Sequence, residues 1–144
     1  SDNLSNVMLV LIRHGSYSVR DGALDELGIS QAAELAEYLA QFSKPTAVYH
    51  SPSLRTTQIA QIIAERLQVP PQADLTLSEH GNPASYCPPF LDNTYTVAIT
   101  HLPIIREILR QWSAYWQIES PIEIPIASVF IIDPAKNTIE KLSD

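Results

Sequence analysis

Residues Val7 to Gly15 have the sequence VMLVLIRHG, and this stretch decides the fold that we predict. Its first six residues, 7 to 12, are all large and apolar, which is typical of a strand buried on both faces of a mostly parallel sheet. The run ends abruptly in Arg13, His14 and Gly15. In open α/β sheets, ligands bind at the carboxyl ends of the strands, and a glycine there lets the backbone turn and a ligand come close. We therefore interpret this strand end as a binding edge, at which His14 attacks a phosphoryl group that Arg13 helps to hold.

Strands and helices alternate along the rest of the chain. Apolar spacing predicts one helix opened by Gly28-Ile29-Ser30 with Ser30 as its N-cap, a second from about residues 51–57 to Leu67, and a third from about Pro103 through Trp112. The further predicted strands cover residues 47–50, 75–77, 95–99, 127–132 and 138–142. This order predicts a three-layer α/β/α fold with a mostly parallel central sheet, in a single domain over residues 1–144. Residues 1–6 read as a flexible leader.

Composition and charge exclude several classes of function. The net charge of −7 argues against general binding of nucleic acid or of an anionic membrane. No apolar run approaches the roughly 20 residues of a membrane span, and residues 1–6 do not resemble a signal peptide, so we expect a cytoplasmic protein. Cys87 is the only cysteine, and the four histidines show no metal-binding spacing, so we predict neither a metal nor another cofactor.

Polar groups follow several predicted strands at the point where each ends. Arg13 and His14 end the first, Arg55 follows the second, His101 follows the fourth, and Glu79 follows the weak strand 75–77. Because parallel neighbours present their carboxyl ends at one edge, we expect these five groups to meet there. Each also has an ordinary alternative: Arg13-His14 as a plain turn, Arg55 as a solvated helix residue, His101 as a helix cap and Glu79 as a loop carboxylate.

Together the five groups match the needs of phosphoryl transfer. The guanidinium groups of Arg13 and Arg55 suit the oxygens of a phosphomonoester, and Arg55 should lie in a first helical turn, where free N–H groups favour anions. Neutral His14 can act as the nucleophile, with the neighbouring cations lowering its pKa. His101, protonated as charge builds in the transition state, can contact another phosphoryl oxygen, and Glu79 can protonate the leaving group and then activate water.

Four segments in this order resemble the histidine phosphatase superfamily, which has the phosphoglycerate mutase-like fold. They are Leu11 to Gly15 (LIRHG), Leu24 to Ala32 (LDELGISQA), Ser51 to Thr56 (SPSLRT), and Thr100-His101. The resemblance implies that His14 is phosphorylated, that Arg13, Arg55 and His101 form the phosphate pocket together with Gly15, and that Glu79 is the acid. The family often has a small hydroxyl residue two positions after this glycine, and here that position is Tyr17.

The small size, Thr100 to Pro103 (THLP) and Ile126 to Val129 (IASV) resemble the SixA-type protein phosphohistidine phosphatases in particular. The short segments after Gly15 and after Glu79 leave little to cover the site, which favours hydrolysis over mutase chemistry. The substrate is accordingly expected to be a phosphorylated protein, with phosphohistidine first. The alternatives are a phosphatase for a sugar or nucleotide phosphate, and a binding module that has lost turnover. The oligomeric state stays open, with a monomer favoured.

Overall fold

The computed structural model describes residues 7–89 and 94–142, so the predicted leader lies outside the described residues. The strands are β1 (Met8–Arg13), β2 (Ala47–His50), β3 (Pro71–Ala73), β4 (Tyr95–Thr100), β5 (Val129–Asp133) and β6 (Thr138–Leu142). The helices are α1 (Glu26–Leu39), α2 (Leu54–Leu67) and α3 (Leu102–Trp116), with single 3₁₀ turns at Leu75–Leu77 and Ala84–Tyr86.

One six-stranded sheet, in the order β3-β2-β4-β1-β5-β6, forms the middle layer. The pairs β3-β2, β2-β4 and β4-β1 are parallel, whereas β5 and β6 are antiparallel to their neighbours. The sheet is therefore mostly parallel, as predicted, and β1 and β4 lie at its centre. Because β1, β2 and β4 run in the same direction, their carboxyl ends share one edge of the sheet.

Both faces of the sheet are covered, which confirms the three-layer prediction. Met8, Val10 and Ile12 of β1 join an apolar cluster with α1 and α2. Leu9 and Leu11 point into a second cluster, which includes α3 and Trp112. The unbroken apolar run at the start of the chain is thus explained, since alternate residues of β1 enter opposite cores. No helix within the described ranges is long and apolar enough to cross a membrane.

Two predicted elements differ from the structure. Residues 75–77 were expected to form a strand, but they form a 3₁₀ turn, because Asp74 Oδ1 accepts hydrogen bonds from the N–H (2.9 Å) and hydroxyl (2.7 Å) of Thr76. The third strand is instead Pro71–Ala73, in a segment where the sequence predicted no strand. Glu79 therefore follows a turn and not a strand.

Several boundaries also shift. Helix α1 begins at Glu26, before the predicted Gly28, because the Asp25 side chain accepts the Gly28 N–H at 2.9 Å and caps the helix. Ser30, the predicted cap, lies exposed inside the helix. Strand β5 begins two residues later than predicted, since Ala127 has φ = 64°, which is outside the extended region.

Candidate active site

The end of β1 is held on both sides by backbone hydrogen bonds. The N–H of His14 donates to the Thr100 carbonyl of β4 (3.3 Å), and its carbonyl accepts from the Ala127 N–H (2.9 Å). The imidazole is buried, and its Nδ1 lies 3.2 Å from the Gly15 carbonyl oxygen. A carbonyl can only accept, so this contact places a proton on Nδ1 and leaves the lone pair on Nε2. His14 therefore offers Nε2 as the nucleophilic atom.

The turn after His14 is packed against the start of α1. The Ser16 N–H donates to Gln31 Oε1 at 3.0 Å, and a Cβ on Gly15 would lie 2.4 Å from the same oxygen. A Cβ on Gly28 would lie 2.0 Å from the Ser16 carbonyl oxygen. The LDELGISQA segment thus lets α1 pack closely against the backbone that follows His14, and this packing determines the conformation of the turn.

Arg55 lies in the first turn of α2, as expected. Ser53 is the N-cap of this helix, and its side chain accepts from the Thr56 N–H. The guanidinium carbon of Arg55 lies over the ring of Tyr17, 4.4 Å from its centroid. The Nε of Arg55 is buried without a hydrogen-bond partner, so its N–H is free to bind an anion.

Arg13 contributes a second guanidinium group from β1. Its Nη1 donates to the Ile124 carbonyl, which ties the side chain to the segment before β5. Its Nε is buried and has no partner. Burial lowers the pKa of Arg13, and the nearby Arg106 lowers it further, while Tyr17 opposes the shift. The arginine stays positively charged at neutral pH, because a guanidinium group ordinarily loses its proton only in strongly basic solution.

His101 stands at the N-terminus of α3, but its side chain makes no capping hydrogen bond. Its Nε2 lies 2.8 Å from Ser51 Oγ, and its Nδ1 is buried without a partner. The centroids of the His14 and His101 rings are 5.6 Å apart. The structure thus brings the two imidazoles together in one buried pair.

Burial and nearby cations favour the neutral form of both imidazoles. Burial is the main cause that lowers the pKa of His14, and the charges of Arg55 and Arg13 add to it. Burial, then Arg55 and His14, lower the pKa of His101 to about 4. The expected lowering by neighbouring cations is therefore present, although burial contributes more. Desolvation disfavours the imidazolium form of His101 in the free protein, so its protonation against a phosphoryl oxygen in the transition state stays a prediction.

Glu79 is exposed at the rim of an open cleft of about 450 Å³. The lining of this cleft includes Arg55, Glu79, His101 and Ser51. The charge of Glu79 raises the pKa of both His14 and His101, against the larger effect of burial, so its carboxylate is within electrostatic reach of both rings. All five predicted groups therefore meet at one edge of the sheet, with Glu79 at the solvent side.

Two residues of this edge were missed by sequence reasoning. Tyr17 was noted only as a departure from the family pattern, yet its ring contacts both His14 and Arg55. Ser51 follows β2 directly, and that position after a strand was the available signal.

Within residues 7–89 and 94–142, no group of three or more His, Cys, Asp or Glu side chains is placed to hold a metal ion.

Solved structures with the same fold cover nearly the whole chain. A protein described as the phosphohistidine phosphatase SixA from Agrobacterium tumefaciens aligns with a TM-score of 0.71 and 16% identity, covering 96% of this chain and 98% of that one. A phosphoglycerate mutase from Plasmodium falciparum aligns with a TM-score of 0.64 and 19% identity, covering 97% and 91%. The protein histidine phosphatase SixA in complex with tungstate aligns with a TM-score of 0.70 and 16% identity, covering 94% of each chain. These similarities confirm the phosphoglycerate mutase-like fold.

Sequence comparison identifies the family to which this chain belongs. No curated protein matches the chain significantly. The family model of the histidine phosphatase superfamily, branch 1, matches residues 9–83, which is just over half of the chain. The matched range begins in β1 and includes His14, Arg55 and Glu79. The chain therefore belongs to the histidine phosphatase superfamily.

Proposed function

We propose that this protein is a phosphatase that works through a covalent phosphohistidine at His14. Family membership supports phosphatase activity in general. We assign Arg13, Arg55 and His101, with the backbone at Gly15, to binding of the phosphoryl group, and Glu79 to proton transfer. We also propose that residues 1–144 form a single domain, since the described strands all belong to one sheet.

One observation carries the proposal: three buried nitrogen atoms at this edge have no partner, and two of them are guanidinium donors. They are Arg13 Nε, Arg55 Nε and His101 Nδ1. A buried donor left unpaired costs roughly 1–3 kcal/mol, so such atoms are rare unless a ligand or water satisfies them. All three belong to the groups around His14. A phosphoryl group, with three oxygens that accept hydrogen bonds, can satisfy both guanidinium donors at once.

The reaction then takes place in two steps. In the first, Nε2 of His14 forms a bond to phosphorus, the bond to the leaving group breaks, and Glu79 donates a proton to the leaving atom. In the second, the Glu79 carboxylate takes a proton from water, the water oxygen attacks phosphorus, and the bond to His14 breaks. Inorganic phosphate leaves and Glu79 is protonated again. The arginines stabilise the charge on the phosphoryl oxygens in both steps.

We propose protein-bound phosphohistidine as the substrate. Glu79 and His80 lie exposed at the rim, so a side chain presented by another protein can enter the cleft. The likeness in length and fold to the two SixA structures supports this choice. A phosphohistidine ring that carries a proton on its other nitrogen leaves as neutral imidazole, which asks little of an acid and suits a site whose carboxylate is exposed to solvent.

A small phosphate ester is the second candidate. The cleft volume of about 450 Å³ is in the range of small-molecule sites, roughly 300–1,000 Å³. The same fold is found in a phosphoserine phosphatase from Entamoeba histolytica in complex with 3-phosphoglyceric acid, with a TM-score of 0.66 and 16% identity over 94% of this chain. We rank this candidate second because the open rim provides little to select one metabolite.

A substrate screen on wild type and His14→Ala tests the proposal. We expect the wild type to dephosphorylate a phosphohistidine-bearing signalling domain faster than any of a panel of phosphorylated metabolites. Quenching in base should trap an acid-labile phosphoryl group on the wild type and on His80→Ala, but not on His14→Ala. Turnover of one metabolite without turnover of the phosphoprotein would favour the second candidate. Binding of phosphate without any label would indicate a module that has lost turnover.

A further inference from the structure

Tyr17 is the one aromatic side chain that contacts both the nucleophile and a phosphate-binding arginine within the described ranges. Its ring meets the His14 imidazole edge to face, with centroids 5.1 Å apart and an angle of 82° between the planes. Its face lies under the Arg55 guanidinium, at 4.4 Å. Both distances are within the ranges of attractive aromatic and cation–π contacts.

The backbone around Tyr17 is held firmly enough to orient the ring. Tyr17 pairs with Leu24 in an antiparallel bridge, and the Leu24 N–H donates to Gln58 Oε1 of α2 at 2.8 Å. On the other side, the Ser16 hydroxyl donates to Asp25 Oδ2 at 2.6 Å, next to the start of α1. The segment that carries Tyr17 is therefore fixed to both helices that flank the site on this face.

An aromatic ring and a carboxylate differ in how they hold an arginine side chain. A carboxylate would occupy the same N–H donors that a phosphoryl group needs, and it would cancel the positive charge. A ring attracts the guanidinium through its face and leaves the N–H groups free. In the described part of the chain, Arg55 has neither an ion pair nor a hydrogen bond from Nε. Tyr17 is thus the contact that holds its charged end.

We propose that Tyr17 is a positioning residue for phosphoryl transfer, which holds Arg55 with its donors uncommitted and fixes the plane of the His14 ring. This inference rests on the proposed function, because it assigns Arg55 to the phosphoryl oxygens. It gives a physical role to the position at which the chain departs from the small hydroxyl residue common in the family. We assign this positioning role to the aromatic ring of Tyr17 and not to its phenolic hydroxyl group.

The test compares Tyr17→Leu, which removes the ring, with Tyr17→Phe, which keeps it. We expect Tyr17→Leu to lower kcat/KM about tenfold and to weaken tungstate binding by a similar factor, in line with the usual strength of a cation–π contact. Tyr17→Phe should stay within about twofold of wild type on both measures. Tyr115→Leu is the matched control, since Tyr115 is exposed on α3 and also makes an edge-to-face contact, with Trp112. It should change neither measure.

A double-mutant cycle then separates positioning from a merely structural role. If Tyr17 acts through Arg55, Tyr17→Leu should weaken tungstate binding less than about twofold when Arg55 is already alanine. Additive effects in the cycle, or equal losses in Tyr17→Phe and Tyr17→Leu, would overturn the inference. If the wild type shows neither turnover nor a label at His14, the proposed function fails. The tungstate measurements still decide the role of Tyr17, because they need no turnover.

Discussion

The buried pair of His14 and His101 makes the stability of this protein depend on pH. An unfolded chain binds a proton to His101 below its ordinary pKa of 6.5, whereas the folded chain does so only below about 4. The unfolded state therefore holds more protons between these values, and stability rises with pH there. The contribution from the neutral ring is fully present above pH 6.5 and is lost as the pH falls towards 4.

We predict that the free energy of unfolding decreases below pH 6.5, by up to about 1.4 kcal/mol per pH unit for each extra proton. Urea unfolding measured from pH 4 to pH 8 tests this slope. His101→Gln should reduce it, because glutamine cannot take up the proton. His80→Gln, which changes an exposed loop residue, should leave it unchanged. Equal slopes in wild type and His101→Gln would contradict the assignment.

At the scale of elements, the start of α1 determines the shape of the turn after His14. Gly28 is the third residue of the helix, where alanine would ordinarily be favoured by about 1 kcal/mol. Here a Cβ would lie 2.0 Å from the Ser16 carbonyl oxygen, and backbone cannot move aside cheaply. The close approach of helix and loop therefore outweighs helix propensity at this position.

We predict that Gly28→Ala destabilises the protein by about 1–3 kcal/mol and lowers kcat/KM at least tenfold, on the order of the loss caused by a small misplacement of a catalytic group. Gly22→Ala is the matched control. Gly22 has φ = +77° with no atom near its added Cβ, so alanine should cost about 1–2 kcal/mol and leave kcat/KM nearly unchanged. Thermal unfolding and steady-state kinetics measure both effects. A stabilised Gly28→Ala would show that the helix can shift freely.

At the scale of the whole molecule, β4 is the strand that positions the residues of the site. It pairs with β1 on one side and β2 on the other, so it positions residues that follow three strands. The Thr100 carbonyl accepts from His14 N–H, and the Ile99 carbonyl accepts from Ser51 N–H at 2.9 Å. Strand β6 lies at the far edge of the sheet, where it pairs with β5.

We predict that Ile99→Ala, at a fully buried position, costs about 2–5 kcal/mol of stability and also lowers kcat/KM at least about tenfold. Ile139→Ala in β6, at a half-buried position, should cost about 1 kcal/mol and leave kcat/KM unchanged. Urea unfolding and kinetics at a temperature where both variants are folded provide the comparison. Equal losses of kcat/KM would mean that activity follows overall stability and not the position of β4.

The sequence by itself determined the layers of the fold and the edge at which the five polar groups meet. An apolar run from Val7 to Ile12 can only be buried on both faces, and residues that follow parallel strands share one edge. Local secondary structure was harder to predict where two features of the sequence favoured different conformations. Residues 75–77 have the composition of a strand, but the Asp74 side chain stabilises a turn.

Only the tertiary structure decided which side chains touch, and therefore how each is charged. The pKa of His101 is near 4 because several chain segments bury its ring beside Arg55, and no spacing in the sequence gives a degree of burial. Tyr17 acquires its two partners because β1 brings His14 and α2 brings Arg55 to the same ring. Contacts between residues distant in sequence depend on how the elements pack, which a linear pattern does not contain.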